Sequence, residues 1–324
     1  MQIRTSIVVM FAGVLAVAGA QRVSAQGQEQ ITLDSISDFD TTASNVFFYY
    51  ADVEAATDFY REILGLRVTA DYGFAKVVEV SPNSFITLVD ANRSMHAADE
   101  PKTTAIALIT DQLDEWWDYI RTQDVKLRSD EFKVVAGRPH HGFVAIDPAG
   151  YFLEFERFND HEENKLLMPI LDETATLYAA AEKSNVPPGL GFKATVVWFY
   201  YKDLQNAQRF YEDVIGLDLL VDQGWTKIYR IGPSGYFGLV DAQRGMHSFT
   251  EKKSVTLSFI TSKIDDWYEY LGKQDGVQLR SKKIESAENH RAFVAYDPEG
   301  YYLEWNAFND VPINAKLLKA IEKR

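Results

Sequence analysis

From Asn45 to Tyr50 the chain runs through aromatic and apolar residues, and strand alternation sends Asn45, Phe47 and Tyr49 to one face and Val46, Phe48 and Tyr50 to the other. Asp52 then stands where a helix cap belongs. Ala56, Phe59, Tyr60, Ile63 and Leu64 fall on one helical stripe, and Gly65 closes it. Residues 66–71, 74–80 and 85–90 alternate as three short strands, with Pro82-Asn83-Ser84 as the turn between the last two. This pattern predicts one βαβββ unit. A second is predicted from a strand at 103–110, a helix through Leu113, Trp116, Trp117 and Ile120, and strands at 125–129, 142–147 and 151–155. Asp147-Pro148-Ala149-Gly150 places Pro and Gly where a tight turn needs a fixed and a permissive φ.

The whole pattern then recurs. Residues 45–124 align without a gap onto residues 196–275, and 30 of the 80 pairs are identical, so an ancestral unit has been duplicated. Asp-Ala-Asn-Arg-Ser-Met-His, ending at His96, meets Asp-Ala-Gln-Arg-Gly-Met-His, ending at His247. Val125-Lys126-Leu127-Arg128-Ser129 meets Val277-Gln278-Leu279-Arg280-Ser281, and Asp297-Pro298-Glu299-Gly300 repeats the tight turn. The predicted class is therefore α+β, with tandem domains at 45–158 and 194–308, each made of two βαβββ units. Residues 159–193 carry Leu166, Leu167, Ile170 and Leu171 and read as a packed linker. The tail, 309–324, reads as a short amphipathic helix that docks on a neighbouring domain, so the copies form a pseudo-dimer within one chain and homo-oligomerisation becomes unnecessary.

Before the repeats, residues 1–25 have the form of an export signal: Arg4, an uncharged apolar run of 14 residues at 7–20, and Val23-Ser24-Ala25 as a cleavage site. That run is shorter than the ~20 residues a membrane-crossing helix needs, so cleavage is expected rather than anchoring. The expected location is the bacterial periplasm or the exterior. Residues 26–44 read as a flexible polar segment. With 33 Lys and Arg against 47 Asp and Glu, the net charge of −14 disfavours nucleic acid and anionic lipid as partners. Cysteine is absent, which excludes a disulfide framework and a thiol nucleophile.

The strand-Asp-helix-Phe-Tyr-x-x-hydrophobe-hydrophobe-Gly-Leu opening and the Asp-Pro-x-Gly-Tyr-x-Leu-Glu close, each present twice, resemble the vicinal oxygen chelate superfamily of glyoxalase I, extradiol dioxygenases and bleomycin-resistance proteins. The resemblance implies cupped mixed sheets with the ligand in the cup. It also implies a metal whose ligands project from the first, fourth, fifth and last strands of a domain. On this sequence those positions fall on Asn45 and Val196, Thr87 and Gly238, Ala105 and Thr256, and Glu154 and Glu304. Only the glutamates suit a transition metal, which wants three or four N, O or S donors. No resident cofactor is expected, with a loosely held divalent metal at Glu154 or Glu304 as the alternative.

The candidate ligand-binding residues are Asn45, Phe47, Tyr49 and Phe152 in the first copy, Trp198, Tyr200, Tyr236 and Tyr302 in the second, and Arg93 and Arg244 at the rims. Rings with phenol hydroxyls suit a small aromatic or cyclic molecule; the alternative is that they are core. Glu154 and Glu304 are the candidate acid–base residues, and Glu304 is expected beside Val196, Trp198 and Tyr236. His96 and His247 are placed near the cup rims as partners. His140, His141 and His290 fall in a variable loop with no ligand spacing. The function read from the sequence is capture of a small organic molecule without a tight metal. The alternative is a lyase, isomerase or dioxygenase-like enzyme using Glu304 or Glu154.

Overall fold

The computed structural model describes residues 40–322. Residues 1–25, read from the sequence as an export signal, and residues 26–39 lie outside them, as do the last two residues of the tail.

Each predicted unit forms. The first is β1 (Thr41–Tyr50), α1 (Val53–Glu62), β2 (Arg67–Asp71), β3 (Ala75–Ser81) and β4 (Ser84–Asp90). The second is β5 (Thr104–Ile109), α2 (Leu113–Ile120), β6 (Lys126–Leu127), β7 (His140–Ile146) and β8 (Phe152–Phe158). In the linker come α3 (Met168–Glu173) and the paired short strands β9 (Leu177–Tyr178) and β10 (Gly191–Phe192). The third unit is β11 (Ala194–Tyr201), α4 (Leu204–Arg209), β12 (Leu219–Asp222), β13 (Thr226–Arg230) and β14 (Gly235–Asp241). The fourth is β15 (Val255–Thr261), α5 (Ile264–Leu271), β16 (Gln278–Leu279), β17 (Glu285–Ser286), β18 (His290–Tyr296) and β19 (Tyr302–Phe308), and α6 (Ala315–Ile321) follows. Asp52 caps α1 by accepting from the backbone N–H of Glu54 and Ala55, as its position predicts. Residues 41–44, assigned from sequence to the flexible segment, are instead the start of β1. Ala43 packs with Leu317 and Ala320 of α6, and the Ser44 N–H donates to the Asn83 carbonyl, so the backbone there has partners.

The sheets do not follow the repeats. One runs β16-β18-β19-β15-β1-β4-β3-β2, with β17 added on β18, and joins the first unit of copy one to the second unit of copy two. The other runs β12-β13-β14-β11-β5-β8-β7-β6 and joins the remaining pair. The seams are antiparallel: β1 on β15 and β11 on β5. The four seam strands thereby occupy sheet centres. Every residue of β5, β11 and β15 is buried, which explains the nearly unbroken apolar sequences of β5 and β11.

Two buried tyrosine networks tie one sheet to the other. Asp147, in the turn after β7, accepts from Tyr50 Oη at 2.6 Å and Tyr60 Oη at 3.1 Å, and from the Ala149 and Tyr151 backbone. Asp297 does the same with Tyr201 at 2.7 Å and Tyr211 at 3.1 Å. Tyr151 stacks on Phe48 at 3.9 Å, accepts from the Tyr49 N–H and donates to the Ser254 carbonyl; Tyr301 repeats this with Phe199, Tyr200 and Thr103. The linker and tail close one end of each cup: Leu167 and Leu171 join the cluster around Trp198, while Leu317 and Ala320 join that around Phe85.

Candidate functional site

In the first sheet, Asn45 of β1 faces Ser258 of β15, which lies beside Glu304 of β19. In the second, Val196 faces Ala107, which lies beside Glu154. The fifth-strand positions are therefore Ser258 and Ala107, two residues beyond the expected Thr256 and Ala105; strand parity keeps the face while the register shifts. Thr256 instead bonds Tyr49 Oη at 2.7 Å. Val196, Trp198 and Tyr236, expected around Glu304, surround Glu154, because the copies exchange halves.

Neither row fits a tightly held transition metal. Around Glu304 the polar groups are two amides and two hydroxyls, and they are already engaged: Asn45 Nδ2 donates to Thr87 Oγ1 at 2.8 Å, and Asn306 Nδ2 donates to Ser258 Oγ at 3.0 Å and to Glu304. Around Glu154, Val196 and Ala107 offer nothing. The fourth-strand position there is Gly238, and the Trp198 indole occupies the space its Cβ would need. One carboxylate per row is too few donors.

The Glu154 cup is a cavity of about 210 Å³ lined by Arg128, His140, Glu154, Glu156, Trp198 and Tyr200, with Trp225 and Arg244 at its mouth. Glu154 and Glu156 are alternate residues of β8 and share its concave face. His140 Nδ1 lies 2.6 Å from Glu156 Oε1, and that contact raises the imidazole to about 9. Glu156 Oε2 is buried with no hydrogen-bond partner among the described residues. Glu154 is pushed up to about 8, first by burial and then by the Glu156 charge, against His140, Arg128 and the Trp198 N–H. A carboxyl near neutrality in an aromatic cavity can hold or release a proton at ordinary pH.

The Glu304 cup is a cavity of about 290 Å³ lined by Phe47, Tyr49, Phe74, Arg93, Arg280 and Glu304, with His290 and Asn306 also facing it. Burial pushes Glu304 up to about 7, against the Asn306 hydrogen bond. Asn306 stands where the other cup has Glu156. His290 accordingly lacks a carboxylate at that place, and burial holds its pKa below the ordinary value.

His96 and His247 are not rim residues. The His96 ring lies 4.8 Å from Tyr49 and 4.3 Å from Tyr302, with Nδ1 2.8 Å from Glu100, and burial lowers its pKa. His247 lies 4.3 Å from Phe152 and 5.0 Å from Tyr200, and burial lowers it to about 4. Each histidine is thus wedged against aromatic rings of both copies, His96 at the Glu304 cup and His247 at the Glu154 cup.

Of the expected residues, Phe47, Tyr49, Arg93 and Glu304 line one cavity, and Trp198, Tyr200, Arg244 and Glu154 the other. Asn45 and Tyr236 are buried in the cup walls beneath them. Phe152 and Tyr302 hold the histidines and carry Arg128 and Arg280 over their rings. Sequence reasoning missed Arg128, Arg280, the pairing of Glu156 with His140 and the place of His290. The signal was present: both arginines and both histidines recur in the duplicated pattern. His140 and His290 open strands β7 and β18 rather than lying in a loop, because Asn159 and Asn309 pair with the backbone just before them and extend each hairpin.

With this geometry, residues 42–155 match the Glyoxalase/Bleomycin resistance protein/Dioxygenase superfamily. The matched stretch covers most of the first copy, whose motifs the second copy repeats. Among solved structures, the chain is similar to glyoxalase I from Zea mays at 15% identity, covering 86% of this chain and 94% of that one with a TM-score of 0.56. It is also similar to a putative dioxygenase from Bacillus subtilis subsp. subtilis str. 168 at 14% identity, covering 86% and 89% with a TM-score of 0.59. Both likenesses concern the fold. No curated protein sequence matches the chain.

Proposed function

We propose that this is an exported protein whose two cups bind a small aromatic or cyclic organic molecule without a tightly held metal. The observation that carries the reading is the lining: each cavity combines aromatic walls with one near-neutral carboxyl, and the strand positions that would supply further metal donors hold Val, Ala, Gly, Asn, Thr and Ser. Stacking would supply affinity and the few polar groups orientation.

Elemental analysis of the purified mature protein, followed by thermal-shift screening against single-ring compounds, tests this. Stoichiometric zinc, iron or manganese would overturn it. N-terminal sequencing of the native protein tests export, with Gln26 as the expected first residue.

The Glu154 environment supports a second reading, an isomerase or lyase in which Glu154 moves a proton on the bound molecule. Turnover that is lost in Glu154→Gln while binding persists would favour that reading.

A further inference from the structure

Four arginines, Arg93, Arg128, Arg244 and Arg280, line the two cups, two in each. In a chain of net charge −14 an arginine has many carboxylates to choose from, and Arg61, Arg67, Arg121, Arg157 and Arg291 each take at least one. The four cup arginines take none among the described residues. Each lies over an aromatic ring instead: Arg93 over Phe74 at 4.9 Å, Arg244 over Trp225 at 4.9 Å, Arg128 over Phe152 at 5.9 Å and Arg280 over Tyr302 at 5.8 Å. Ring contact at this range holds a guanidinium flat and leaves its N–H edge directed elsewhere.

The arrangement is kept in both copies, down to the ring partner. It is also assembled across them: Arg93 of copy one meets Arg280 of copy two in one cup, and Arg244 meets Arg128 in the other. Glu154 and Glu304 share these cavities with Arg128 and Arg280 without pairing with them, so each cup carries cationic donors alongside a separate carboxyl.

We propose that each cup is a two-arginine clamp for an anion, and that the ligand is a single-ring molecule bearing a carboxylate or a comparable planar anionic group. This rests on the cups being ligand sites and narrows the ligand to a charge class. The anionic group sits between the two guanidiniums, whose forked donors match a carboxylate, while the ring stacks inside on Tyr49 or on Trp198 and Tyr200. Inorganic anions share the charge and lack the ring, so they bind weakly.

Titration calorimetry on the whole mature protein with benzoate, benzamide and sulfate tests the clamp. Benzoate is expected to bind about 10- to 100-fold more tightly than benzamide, the span a charge-assisted hydrogen bond confers, and to weaken with added salt. Arg128→Gln and Arg280→Gln should each remove that preference in one cup, and Arg128→Lys should restore only part of it. These side chains are exposed, so the variants keep the fold, which circular dichroism verifies.

Equal binding of benzoate and benzamide refutes the clamp and leaves the cups as ligand sites. Benzoate binding unchanged in both glutamine variants refutes it too, by placing the anion elsewhere. Sulfate binding as tightly as benzoate shows an anion site without ring recognition and overturns the proposed ligand class. No binding by either aromatic probe sinks the clamp and the cup reading together.

Discussion

His140 Nδ1 stands 2.6 Å from Glu156 Oε1, and the same place in the other cup pairs His290 with no carboxylate because Asn306 replaces the glutamate. One substitution between duplicated copies thus gives the cups different protonation chemistry. The Glu154 cup holds a charged imidazole paired with Glu156 beside Glu154, whereas the Glu304 cup, lined also by Glu285, holds an imidazole whose pKa burial lowers.

Glu156→Asn should make the two cups alike. The His140 pKa should fall from about 9 toward or below the ordinary imidazole value, and that of Glu154 should fall from about 8 as a neighbouring negative charge is lost. His140 is raised on folding, so its stabilisation is fully present below about pH 6.5 and is lost as pH rises through about 9. Urea unfolding of the native protein at pH 6 and pH 9.5 should show that loss, and the variant should show less of it. An NMR titration in which His140 keeps its pKa in the variant would contradict the assignment.

Glu304 gives the opposite lesson for a single acid. Its folded pKa of about 7 exceeds the unfolded value, so the folded state favours the protonated form, and stability falls as pH rises from about 4.5 through 7. Glu304→Gln should therefore leave stability nearly unchanged at pH 4 and raise it by about 3 kcal/mol at pH 8, an order-of-magnitude figure. Denaturant unfolding at the two pH values measures the difference, and equal effects at both would exclude burial of the charge as the cause.

Tyr50→Phe and Tyr201→Phe each delete a hydrogen bond to a buried carboxylate while leaving Tyr60 or Tyr211 in place. Each should cost about 1.5–3 kcal/mol, the range for bonds to charged groups. Because Tyr50 and Asp147 lie in different sheets, the loss should also speed hydrogen exchange at the β1–β15 seam. Loss confined to local fraying would show that the network does not join the sheets.

Gly238→Ala places a methyl group where the Trp198 indole lies. Overpacking of this kind costs about 1–3 kcal/mol. Displacement of Trp198 should also alter its fluorescence and weaken any ligand of the Glu154 cup, with the Glu304 cup unaffected. Trp198→Ala should instead enlarge the first cup and admit bulkier rings.

Much of the fold was legible because the physical signals were local. Asp52 at a helix start, Gly65 at its end and the paired Asp-Pro-x-Gly turns fix the units wherever they pack, and the apolar stripe of Leu317 and Ala320 predicts docking of the tail. The exchange of halves was not legible, since a strand such as Val196–Val197–Trp198–Phe199 reads equally well beside either β5 or β15. That choice moved Trp198 and Tyr236 from Glu304 to Glu154. The site was legible where duplication preserved a residue, as with Glu154 and Glu304. Arg128 and Arg280 were preserved too, but an arginine on an open strand looks solvated until the cavity beside it is seen.

Since each cup draws one wall from either copy, no segment such as 42–155 carries a finished binding site. Severed from its twin, it could rebuild cups only by pairing with another molecule of itself. Such a pair would have two identical cups, each joining Arg93 to Arg128. With both copies in one chain Glu156 and Asn306 can differ, so the protein offers two unlike receptacles, and each copy contributes to both.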